Sequence, residues 1–94
     1  MGVRDSIRAY NGVITWLNGF DLGKPKKKSY RARDEYLNNI FIKFGKEHNI
    51  EMENNNSRGY KGSYNPMMSN CCNIQNNWQL FKDWIIKNYP KTNQ

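Results

Sequence analysis

The stretch YRARDEYLNNIFIKFG, residues 30–45, decides how the rest of the chain is read. Within it Leu37, Ile40, Phe41 and Phe44 fall at i, i+3, i+4 and i+7, with Arg33 and Tyr30 one and two turns upstream on the same side. A period of 3.6 residues collects these positions on one face, so the spacing predicts an amphipathic helix over 30–45. Ser29 stands where an N-cap belongs and Gly45 where a helix stops.

Two more helices are expected on either side of it. Ile7, Tyr10, Ile14 and Leu17 recur at helical spacing, and Asn18-Gly19 would end that helix over 5–18 with a left-handed glycine. The competing reading is a hairpin turning at Asn11-Gly12, with Val13 to Trp16 as its second strand. Near the other end Trp78, Phe81, Trp84 and Ile85 mark a helix over 75–88 that Pro90 terminates, and Leu80 and Ile86 widen its apolar stripe. Alternation at Ile50 and Met52 suggests a short strand over 48–53, and Tyr60 to Tyr64 could pair with it. The expected fold is therefore a small α+β domain of three helices and a two-stranded ribbon, with an all-α domain as the alternative. Phe20 to Ser29, with Gly23, Pro25 and four lysines, reads as a flexible basic connection, and residues 91–94 as a frayed tail.

A chain of 94 residues fits one domain and a small core, about 60% of the unfolded surface being buried at this size. Three Trp, six Tyr and four Phe supply most of that core. The narrow margin over chain entropy leaves room for a partner or a homodimer to add stability. No apolar run approaches the roughly 18 residues of a membrane span, and Met1 to Ile7 carries no secretory apolar region, so a cytoplasmic protein is expected. The two cysteines, Cys71 and Cys72, are neighbours and cannot readily bridge each other, which fits reduced, buried thiols.

Fifteen Lys and Arg against eight Asp and Glu give a formal charge of +7. Such an excess attracts phosphate backbones or acidic proteins. It is concentrated in Lys24, Lys26, Lys27, Lys28, Arg31 and Arg33, which share ten residues with no acid and lead into a helix N-terminus. A second cluster, Arg58, Tyr60, Lys61 and Tyr64, interleaves cations, rings and two glycines, a composition suited to stacking on unpaired bases. The bland readings are a solvated loop and a glycine-rich hairpin.

Enzyme chemistry has little to stand on. His48 is the sole histidine, and with Cys71 and Cys72 it makes a poor metal set, because adjacent cysteines lack the gap of structural zinc sites. No nucleotide loop, serine triad or paired catalytic carboxylates are recognisable, so no cofactor and no metal are expected. An RNA-cleaving His48 beside a cation cluster is the third-ranked reading. The first is a non-catalytic nucleic-acid-binding protein, RNA or single strands ahead of duplex DNA. The second is an inhibitor docking on an acidic surface of a host enzyme.

Tyr60-Lys61-Gly62, then Cys72, then Trp78, Phe81, Trp84 and Asn88-Tyr89 resemble a segment of phage HNH homing endonucleases. There a Tyr-Lys-Gly or Tyr-x-Gly stretch leads to a cysteine and an aromatic helix ending in Asn-Tyr. The resemblance spans about residues 30–89, and its motifs are short. The metal-binding histidines and asparagine of that family are not recognisable here, so the resemblance implies nucleic-acid binding without cleavage. By analogy it also implies a small phage protein acting in the host cytoplasm against a host defence protein, for instance by occupying the RNA substrate of a ribonuclease toxin.

Overall fold

Leu37, Ile40, Phe41 and Phe44 are all buried, as their spacing requires. The computed structural model describes residues 3–24, 30–53 and 66–92. Among them run four helices: α1 (Val3–Leu17), α2 (Tyr30–His48), α3 (Pro66–Asn76) and α4 (Trp78–Asn88). No strand occurs among the described residues, so the expected α+β class is corrected to all-α. The partner stretch of the expected ribbon, 60–64, lies outside the described residues.

α1 is a helix and not a hairpin. Asn11-Gly12 lies in mid-helix, where a Cβ on Gly12 would come within 3.3 Å of the Gln75 amide of α3. Val13 and Leu17 are buried, with Tyr10 and Ile14 partly covered. Ser6 is also buried, whereas Ile7 is 43% exposed, so the face is rotated from the expected one. The helix ends at Asn18-Gly19, but the left-handed glycine is Gly23, at φ 88°.

α2 does not stop at Gly45. The glycine is needed for space, because a side chain there would collide with the Ile50 carbonyl and lie 2.7 Å from Met52 Cγ. The stop is Asn49, left-handed at φ 58°, followed by Ile50, whose N–H donates to the Gly45 carbonyl at 2.8 Å. This is the pattern of a Schellman cap, with Asn in place of the usual glycine.

Of the expected strand over 48–53, His48 closes α2 and residues 50–53 find side-chain partners instead of a ladder. Asn70 of α3 accepts the Glu53 N–H at 2.8 Å and donates through Nδ2 to the Glu53 carbonyl at 2.7 Å. Asn38 of α2 donates to that same carbonyl at 3.2 Å, and Asn73 donates to the Glu51 carbonyl at 3.5 Å. Backbone groups drawn away from water need partners, and at Glu53 amide side chains supply them.

Met67, Asn70, Cys71 and Ile74 form the buried face of α3, which packs most closely on α1 and also meets α2 and α4. The expected helix over 75–88 begins instead at Trp78 as α4, residues 75–76 closing the unexpected α3, and the break falls at Asn77, whose side chain donates back to the Asn73 carbonyl at 2.9 Å. Phe81, Trp84 and Ile85 of α4 are buried, while Leu80 and Ile86 are 44% and 55% exposed and do not widen the core. Phe81 sits among the rings, edge-on to Phe44 at 5.1 Å and Phe41 at 5.9 Å. Such edge-to-face pairs contribute about 0.5–1.5 kcal/mol beyond the area they bury.

Candidate nucleic-acid interface

The segment from Asn18 to Lys24, which carries the chain out of α1, is held from two sides. On the α2 side the Tyr36 hydroxyl donates to the Leu22 carbonyl at 2.6 Å. Gly23 lets the chain pass close beneath it, since a Cβ there would collide with that hydroxyl. The Gly23 N–H in turn donates to Asp21 Oδ1 at 3.1 Å. On the other side Phe20 and Lys91 form an isolated antiparallel bridge. It is closed by the Asp21 N–H to the Pro90 carbonyl at 2.8 Å and the Thr92 N–H to the Gly19 carbonyl at 3.0 Å. Lys91 and Thr92 of the expected frayed tail are therefore backbone-paired.

Three exposed cations from separate parts of the chain meet on this segment. Lys24 follows Gly23 directly. Arg33, from the start of α2, donates through Nη2 to Asn18 Oδ1 at 3.3 Å. Lys91 stands opposite Phe20, where the two Cα atoms of such a pair are about 4.5 Å apart. Phe20 and Lys24 are four positions apart, so the Lys91 and Lys24 backbones are separated by no more than ~15–20 Å. The segment's own acid is Asp21.

Of the residues singled out in the sequence, Lys24 and Arg33 are thus brought to one segment. Arg31 is in the first turn of α2. Lys26, Lys27 and Lys28 lie outside the described residues, as do Arg58, Tyr60, Lys61 and Tyr64. Lys91 escaped sequence reasoning because nothing in local spacing announces a bridge to a residue 71 positions away.

Behind the segment the helices are joined by polar contacts. Tyr10 of α1 donates to Asp34 Oδ1 of α2 at 3.2 Å. Partial burial raises the Asp34 carboxyl above its usual range, with the Tyr10 hydroxyl and Arg33 pulling the other way. Burial, and then the Asp34 charge, raises the Tyr10 phenol.

The other candidate groups are built into the scaffold. His48 closes α2, its Nδ1 2.9 Å from the Phe44 carbonyl, with its ring tilted against Phe44 at 4.5 Å. Both cysteines are free and buried, and burial pushes the Cys71 thiol far above its normal range, with Cys72 adding to it. Cys72 Sγ contacts Ser6 Oγ at 3.7 Å on the wall of a cleft of about 400 Å³ between α1 and α3, which Arg8 and Gln75 also line. Among the described residues no three His, Cys, Asp or Glu side chains are grouped to hold a metal ion, and no helix is long and apolar enough to cross a membrane.

No family model, curated protein or solved structure matches this chain.

Proposed function

We propose that the protein binds nucleic acid without cleaving it, single-stranded RNA ahead of DNA, by holding phosphates on a basic surface. The observation that carries this reading is the meeting of Lys24, Arg33 and Lys91 on the 18–24 segment, next in sequence to Lys26, Lys27, Lys28 and Arg31. A charge of +7 on a chain of 94 residues must be neutralised by counterions, and displacing condensed counterions from a phosphate backbone supplies the driving force. Arg58, Tyr60, Lys61 and Tyr64 have the composition to add stacking on unpaired bases. No base-reading pattern accompanies the phosphate contacts, so sequence preference is weak.

Fluorescence anisotropy against labelled single-stranded RNA, single-stranded DNA and duplex DNA, each across a salt series, tests the proposal. Four to six phosphate contacts give a log-log slope of about −3 to −5. A flat or undetectable response at low salt removes the reading.

A second reading, an inhibitor docking on an acidic protein, is favoured by the exposure of Leu80 and Ile86 on α4. Apolar anchors ringed by steering charges are the usual anatomy of such a surface. It requires a stoichiometric complex with one protein that survives nuclease digestion, and loss of the complex on digestion excludes it.

A further inference from the structure

We infer that Lys91, held by the Phe20–Lys91 bridge, is a phosphate-contacting residue of the same surface as Lys24 and Arg33, so that the chain's last described residues form part of the binding site. This inference rests on the nucleic-acid-binding reading and adds to it a residue and the device that positions it. The bridge uses both neighbours of Lys91: the Pro90 carbonyl accepts from Asp21, and the Thr92 N–H donates to Gly19. A lysine on an untethered tail loses conformational freedom on binding, whereas this one has its backbone fixed beforehand. Its side chain is exposed, as are those of Lys24 and Arg33. Asp21, the acid between them, has Oδ1 engaged by the Gly23 N–H. Phosphates of one duplex strand advance about 3.4 Å per nucleotide along the helix axis, and an extended single strand advances further, so a backbone of a few nucleotides spans the gap from Lys91 to Lys24.

The experiment compares salt dependence of single-stranded RNA binding for the unmodified protein, Lys91→Gln, Thr92→Pro and Lys82→Gln. Lys91→Gln removes the charge. Thr92→Pro keeps every charge but deletes the N–H that closes the bridge. Lys82→Gln makes the same charge change at a lysine lying over the Trp78 ring, 5.4 Å from its centroid. The expected result is several-fold weaker binding for both Lys91→Gln and Thr92→Pro, with the Lys91→Gln log-log slope shallower by about 0.7 and Lys82→Gln close to the unmodified protein. Equal losses in Lys91→Gln and Lys82→Gln mean that only total charge matters and overturn the inference. Full affinity in Thr92→Pro, with its thermal unfolding unchanged, overturns the role of the bridge. Absence of RNA binding by the unmodified protein removes the inference together with the function on which it rests, whereas binding that Lys91→Gln leaves unaltered removes the inference alone.

Discussion

Asn70 donates through Nδ2 to Asn38 Oδ1 at 2.7 Å, so two fully buried amides from α3 and α2 meet in the interior and together hold the Glu53 backbone. Replacing Asn70 by Leu takes the acceptor from the Glu53 N–H and one donor from Asn38 Oδ1, and replacing Asn38 takes one donor from the Glu53 carbonyl and one acceptor from the Asn70 amide. A buried polar group stripped of its partner costs about 1–3 kcal/mol, so each single substitution should lower stability by about that much in urea denaturation. The double substitution should cost less than the sum of the singles, because both remove one network.

The turn after α2 gives a second expectation. Asn49 at φ 58° tolerates Gly with little change, while Val, which resists left-handed backbone, should destabilise by about 1–3 kcal/mol. Gly45→Ala should also destabilise the protein because the new methyl group would strike the Ile50 carbonyl, which is backbone and cannot swing away. Thermal unfolding of the three variants ranks them.

Asp34 makes stability depend on pH in a definite direction. Its carboxyl is raised in the folded protein by burial, so the stability it contributes is fully present below its unfolded value, about 4, and is lost as pH rises through the folded value. Asp34→Asn keeps an acceptor for the Tyr10 hydroxyl and has no charge to bury. It should therefore stabilise the protein at neutral pH, with the gain shrinking toward pH 4, as measured by denaturant midpoints across that range.

The two thiols should differ in accessibility. Cys71 is wholly buried and its thiol is pushed far up by burial, whereas Cys72 retains a little exposure at the α1–α3 cleft. Mass spectrometry after timed alkylation of the native protein should find Cys72 modified first and Cys71 only once denaturant is added.

The basic run supplies the direct test of function. Reversing Lys26, Lys27 and Lys28 to Glu changes the local charge by six units, which should abolish nucleic-acid binding while thermal unfolding remains cooperative. Unchanged affinity in that variant would refute phosphate binding by this run.

How much of this was legible in the sequence follows from what each element buries. α2 was readable because Leu37, Ile40, Phe41 and Phe44 are all apolar and all inward. α3 was not, because Asn70 interrupts its buried face and the adjacent thiols of Cys71 and Cys72 read as chemistry before they read as packing. The false strand at 48–53 came from real alternation at Ile50 and Met52, but the side-chain amides of Asn38 and Asn70 supplied the hydrogen bonds that a ladder would have. Leu80 and Ile86 misled in the opposite way, being apolar yet exposed. At the candidate interface, Lys24 and Arg33 were visible as part of a charge run, whereas Lys91 depends on a long-range pairing that leaves no local pattern.

The pairing of Thr92 with Gly19 also governs how the protein should be handled in the laboratory. A purification tag or fluorescent fusion joined after Gln94 would attach only two residues in sequence beyond that hydrogen bond and three beyond Lys91. An acidic tag so close in sequence to Lys91 would compete with phosphate for the proposed surface and imitate loss of the proposed binding. Val3, at the start of α1, lies about 20 Å along the helix axis from Gly19, so a tag attached at that end stands farther from the proposed surface.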